Sequence, residues 1–216
     1  MKQSCGRRWF LAVVASGALA WSGAAAAQVE TSGVVQLEQF VARTRQAAGS
    51  FEQTVTASSG RRPQISSGTF VFMRPGKFRW VYERPYPQLL VSDGERLWSW
   101  DEDLNQVTTR VLGDALGSTP AAVLTGDGAL VRDFELADAE PADGLQWVVA
   151  TPRQADSSFE SMRLGFAQGM LHKMALRDNF GQMTVIVFTE FDAEADIDPT
   201  LFYFVPPPGA DVIGGD

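Results

Sequence analysis

The 216 residues carry 18 Lys and Arg against 26 Asp and Glu, a formal charge of −8, with 45% apolar residues and a single cysteine. That is enough chain to bury a real core in one domain. An excess of acid of this size is repelled by nucleic acid and anionic lipid, which excludes a basic-patch role. Cys5 precedes the apolar run Trp9 to Trp21, so the disulfide scaffolds and thiol chemistries are excluded as well.

Lys2, Arg7 and Arg8, the run Trp9 to Trp21 and then Ala24 to Ala27 read as a cleavable secretory signal, residues 1–27, with cleavage expected after Ala27. Arg7-Arg8-Trp9-Phe10-Leu11 also resembles a twin-arginine signal. Removing 27 residues with three basic side chains and no acids from a 216-residue chain at −8 leaves 189 residues at −11. No later segment approaches the ~20 apolar residues of a membrane-spanning helix, so the expected product is soluble beyond the inner membrane. Residues 28–216 then form a single domain.

Val34, Leu37, Phe40, Val41, Thr44 and Ala48 fall at helical spacing, with Thr31 or Ser32 as the cap and Gly49 as the stop. Phe51 to Ala57 alternates as a strand, and Gln64 to Met73 is a second. Pro75-Gly76 turns the chain into Phe78, Trp80 and Tyr82 at every second position. Leu89 to Ser92 then meets an Asp93-Gly94 turn, a strong hairpin signal, and returns through Trp98 and Trp100. Phe70, Phe72, Phe78, Trp80, Tyr82, Trp98 and Trp100 thus predict one wide apolar wall, packed shut as a core or left to receive something greasy.

Gln106 to Val111 is a further strand. From Gly113 to Gly126 the pattern changes: Ser118-Thr119-Pro120 caps a short helix Ala121 to Leu124 between flanking glycines, and the segment reads as a lid. Phe134 to Ala139, Leu145 to Thr151, Phe159 to Phe166, Met170 to Arg177, Met183 to Phe191 and Leu201 to Val205 continue as a meander of strands. The fold class expected is α+β, mainly antiparallel: one strongly curved sheet or incomplete barrel with helices on its concave side.

Arg74-Pro75-Gly76-Lys77-Phe78-Arg79-Trp80, Leu90-Val91-Ser92-Asp93-Gly94 with Leu97-Trp98, Gly117-Ser118-Thr119-Pro120, and Phe202-Tyr203-Phe204-Val205-Pro206-Pro207 together resemble the periplasmic outer-membrane lipoprotein carriers, the LolA family. The resemblance implies an unclosed barrel with a helical lid. It implies a periplasmic carrier that takes triacylated lipoproteins from an inner-membrane lipoprotein-releasing ABC transporter (LolCDE-like) to an outer-membrane receptor (LolB-like), working as a monomer without cofactors. It also assigns Arg74 as a rim latch on the lid, with Pro120, Val123 and Leu124 in the lid, and places Phe78 and Trp80 in the cavity. Ala121 and Ala122 stand where that family often has bulkier lid residues.

Other readings of these residues are weaker. A receptor or sensor of acylated protein would want an anchor cysteine after the signal. A hydrolase of apolar esters would need His172, the sole histidine, beside a serine, and the chain has no Gly-x-Ser-x-Gly. Asp192, Glu194, Asp196 and Asp198 mimic a calcium loop, but Ile197 stands where the turn needs glycine and Tyr203 where the bidentate glutamate belongs. Gly126-Asp127-Gly128 lacks the third glycine of a dinucleotide loop. The methionines Met73, Met162, Met170, Met174 and Met183 suit either a pliable pocket or plain core filling.

Overall fold

A computed structural model describes residues 31–115, 124–125, 132–154 and 157–214. The signal segment, Ser118 to Val123 and the glycines Gly117, Gly126 and Gly128 lie outside the described residues.

Helix α1 (Gly33–Arg43) opens on Ser32, whose hydroxyl accepts from Val35 N, while Asp138 of a distant strand accepts from Val34 N at 2.8 Å. Both fill orphan donors of the first turn. The helix stops at Thr44, short of the expected Gly49. Residues after it are claimed by β1 (Gln46–Thr56), because a strand partner lies along each side: Ala47 faces Phe72 and Gly49 faces both Phe70 and Phe191. Gly49 is therefore a contact residue. A Cβ there would stand 2.0 Å from the Glu190 carbonyl oxygen.

β2 (Gln64–Met73), β3 (Lys77–Arg84), β4 (Gln88–Asp93), β5 (Arg96–Asp101) and β6 (Gln106–Val111) follow as antiparallel neighbours on one side of β1. A short turn of helix α2 (Leu112–Ala115) leaves β6. On the other side of β1 come β11 (Met183–Asp192), β10 (Met170–Asp178), β9 (Phe159–Ala167), β8 (Leu145–Pro152) and β7 (Phe134–Ala142). The twelve-stranded sheet runs β12-β6-β5-β4-β3-β2-β1-β11-β10-β9-β8-β7, and among the described residues its two edge strands do not pair with each other. It is an unclosed antiparallel barrel, as expected. One strand lies outside the expectation: β12 (Asp211–Ile213) runs parallel to β6. Leu201 to Val205, expected as a strand, instead starts within a 3-10 turn, Pro199–Phe202, whose N-terminal amide at Thr200 is capped by Asp198.

Two apolar layers lie on opposite faces of β3 to β6. The concave layer holds Leu37 and Phe40 of α1 with Phe51, Phe70, Phe72, Phe78, Trp80, Met162, Leu164, Phe166, Met174 and Phe188. Met162 and Met174 are fully buried core fillers. The convex layer is set by register. Val91 pairs with Trp98, and Leu89 and Val107 pair with Trp100, which puts these five on the face opposite Trp80, Leu90 and Ser99. Phe204 packs against both tryptophans, with ring centroids 6.2 and 6.5 Å away, and Phe202 beside it is buried.

Candidate functional site

The concave aromatic face is built by pairing as much as by sequence. Register brings Phe70 opposite Trp80 and Phe72 opposite Phe78 across β2 and β3. Phe70, Phe72, Phe78 and Trp80 are all at most 3% exposed, and Tyr82 packs against the same cluster. Five of the seven expected wall residues are thus one face. The other two are corrected: Trp98 and Trp100 belong to the convex layer, because the β3–β4 connection puts Ser99, not its neighbours, in line with Trp80.

Among the described residues, the rings of the expected hollow pack on one another. Phe51 packs on Trp80 at 4.4 Å, Phe188 meets Phe70 edge-on at 5.3 Å, and Phe191 meets Phe70 at 5.5 Å. Between Phe70, Phe72, Phe78, Trp80, Leu124 and Thr125 no space remains that a water molecule can enter. Phe51, Phe188 and Phe191 were missed as site residues; their signal was the alternation of their own strands, which shows a buried face without saying what lies opposite.

Arg74 sits at one rim of this layer. Its Nε and Nη2 donate to the Leu124 carbonyl oxygen at 3.1 and 2.9 Å, and its Nη1 donates to Val41 O of α1 at 2.8 Å. The guanidinium lies over the Phe40 and Phe72 rings at 5.3 and 5.5 Å. One cation thus ties helix, sheet and cover together by charge-assisted hydrogen bonds and ring contacts. Burial, with Arg45 adding to it, pushes its pKa down to about 10, which leaves it charged at neutral pH. A second tie has no side chain: Gly76 N donates to Thr125 O at 2.9 Å from the positive-φ position of the same turn. Leu124 and Thr125 are themselves helical and buried. Of the lid residues expected with Arg74, Leu124 accepts from it through its carbonyl oxygen, and Pro120 and Val123 lie outside the described residues.

The other end of the concave side is open. There Gln53, Tyr82, Gln88, Leu90, Phe159 and Leu176 border a groove of about 590 Å³. The Tyr82 hydroxyl donates to Gln53 Oε1 at 3.1 Å, and burial pushes its pKa up to about 12.

The residues weighed for chemistry are elsewhere. His172 is the extra residue of a bulge between β9 and β10 and is exposed, so it does not line the apolar interior as the hydrolase reading requires. Asp192 and Asp198 accept from the backbone N–H groups of Glu194 and Thr200, with Ile197 buried between them, which is how a turn is tied down.

The chain is similar to several known proteins. The family described as "Outer membrane lipoprotein carrier protein LolA" matches residues 42–205. A protein of Dechloromonas aromatica named outer-membrane lipoprotein carrier protein is 48% identical over 181 residues, 84% of this chain and 87% of its own. One of the same name from Nitrosospira multiformis is 45% identical over 183 residues, 84% and 88% of the two chains. Among solved structures, an uncharacterized conserved protein of Thermus thermophilus shares the fold with a TM-score of 0.50 at 13% identity, over 83% of this chain and 97% of that one.

Proposed function

The chain belongs to the LolA family of outer-membrane lipoprotein carrier proteins, and from that premise we propose that its concave aromatic face receives the acyl chains of lipoproteins once the Leu124–Thr125 cover lifts. The observation that carries this is the three-pronged hold of Arg74 on Leu124 O and Val41 O over a layer of rings.

The closed packing solves a problem of affinity. Three acyl chains fully buried at ~0.8 kcal/mol per CH₂ would contribute more than about 30 kcal/mol, beyond the roughly 18 to 21 at which non-covalent binding saturates. Such a carrier could not release. Here the aromatic face is not an exposed apolar hollow: Phe51, Phe70, Trp80 and Phe188 satisfy one another. Loading therefore replaces ring contacts and Arg74 bonds with acyl contacts, and only the difference binds. Closing the cover against Arg74 is the release step.

Residues 1–27 act as the export signal, and the working compartment is the periplasm. An inner-membrane lipoprotein-releasing transporter loads the carrier, and an outer-membrane receptor accepts the cargo. No bond is made or broken in this cycle, so the protein is not an enzyme. Native mass spectrometry of protein purified gently from the periplasm tests the reading. A triacylated polypeptide is expected on a fraction of the wild type and on a larger fraction of Arg74→Leu; bare protein in both would overturn it.

A further inference from the structure

Among the described residues, three buried side-chain polar atoms have no hydrogen-bond partner: Trp80 Nε1, Trp100 Nε1 and Thr109 Oγ1. Only Trp80 belongs to the concave face, where its ring is 3% exposed among Phe51, Phe70 and Phe188. The Tyr82 oxygen feels that N–H, which slightly offsets the rise that burial imposes on the phenol, but the geometry falls short of a hydrogen bond. The phenol gives its own proton to Gln53, and its oxygen, though near the indole N–H, does not stand in line with it. A buried donor left bare is costly and rare, so its persistence calls for a state in which it is satisfied.

The chemistry of that state can be named. Every acyl chain ends in a carbonyl, an acceptor without a donor of its own when it is an ester. Polar groups border the open groove further along this face: Tyr82 two residues on from Trp80 on β3, Gln88 opposite Tyr82 on β4, and Gln53 on β1. We propose that the Trp80 indole N–H is a polar anchor that donates to the ester carbonyl of a bound acyl chain, with Gln53, Tyr82 and Gln88 holding the remaining linkage groups at the groove. The chain is thereby held at one depth, and ester-linked acyl chains are preferred over plain alkyl chains of equal length. This rests on the carrier reading above.

The test compares a synthetic lipopeptide bearing two ester-linked palmitoyl chains with its ether-linked hexadecyl twin, by calorimetry on the full mature chain. The wild type is expected to bind the ester form about tenfold more tightly, the size of one buried hydrogen bond. In Trp80→Phe, which keeps a ring and loses the N–H, the ester-to-ether ratio falls to about one, whatever the absolute affinity. Should that variant fold poorly, the wild type decides alone: the Trp80 indole N–H resonance moves downfield on adding the ester lipopeptide and less with the ether. Equal wild-type affinities for the two, with an unmoved indole signal, overturn the anchor and leave the carrier intact. Binding of neither lipopeptide overturns the carrier reading and the anchor together. An ester preference that survives in folded Trp80→Phe assigns the carbonyl to another donor and overturns the role of Trp80.

Discussion

Arg74 and Leu124, 50 residues apart, are joined by two hydrogen bonds from one guanidinium to one carbonyl oxygen, at 3.1 and 2.9 Å. The carbonyl is main chain, so the hold does not depend on which side chain follows in the cover. It depends on the fork of the arginine, which also reaches Val41 O. Replacing Arg74 by Leu removes all three donors and leaves two carbonyls to find water. At about 2 to 3 kcal/mol for the charge-assisted set, the open state gains roughly 30- to 150-fold. Arg74→Leu is expected to bind a triacylated lipoprotein at least as well as the wild type and to pass it to outer-membrane receptor at less than about a tenth of the rate. Normal transfer by the purified variant would refute the latch. Arg74→Lys, a point charge without the fork, should fall between the two.

Trp98 and Trp100 separate stability from binding. They share the convex face with Leu89, Val91 and Val107 and pack on Phe204. Trimming Phe204 to Ala uncovers them and is expected to lower stability by about 2 to 4 kcal/mol. Acyl-chain affinity, read on protein that remains folded, should be unchanged, because a whole sheet lies between that layer and the rings of β2 and β3. A drop in affinity that matches that of Phe78→Ala would return the two tryptophans to the cavity.

How these residues looked in sequence explains both what could be read and what could not. Alternation put Phe78, Trp80 and Tyr82 on one face and Trp98 with Trp100 on one face, and both statements hold. Which faces coincide depends on register across Pro85 to Pro87, and a shift of one residue there inverts the answer. The aromatic signal was legible; its division into two layers was not. The same holds for the hollow. Whether Phe70 and Trp80 border empty space is decided by Phe51, Phe188 and Phe191, and nothing local to β2 or β3 reports on them. Arg74 was legible only through the family resemblance, because the Pro75-Gly76 turn after it says no more than that it stands at a strand end. The Gly76 to Thr125 bond, made by main chain alone, leaves no mark in the sequence.

Gly49 offers a check on the sheet itself. Read as a helix stop, it is instead a place where β1 and β11 come very close, with room for no Cβ beside Glu190 O and the Phe70 ring. Gly49→Ala must push either the β11 backbone or Phe70 aside, for about 3 kcal/mol. Since Phe70 stands between Phe188 and Phe191, the change should loosen the closed packing as well. A lowered midpoint in urea together with faster hydrogen exchange in β11 is expected; a stability within about 0.5 kcal/mol of wild type would mean the two strands are not held in this register.

Tyr82 sets a pH dependence whose sign can be worked out. In the unfolded chain its phenol ionises near 10; in the folded chain burial holds it neutral to about 12. Between these values the folded state binds the more protons, so its stability is intact below about pH 10 and falls as pH rises toward 12, by roughly 2 to 3 kcal/mol. Arg74 works against this, because its folded pKa of about 10 lies below its ordinary value and the unfolded state keeps the proton longer. The wild-type profile therefore mixes two opposite slopes, and the difference between variants isolates one. Tyr82→Phe loses the bond to Gln53 and should be about 1 kcal/mol less stable than wild type at about pH 8. That deficit should close and then reverse between about pH 10 and 12, as wild type must keep a proton that the surrounding solution withdraws. Urea midpoints of the two proteins measured across that range check it; a deficit that stays constant with pH would mean the phenol is open to solvent, and the groove it borders with it.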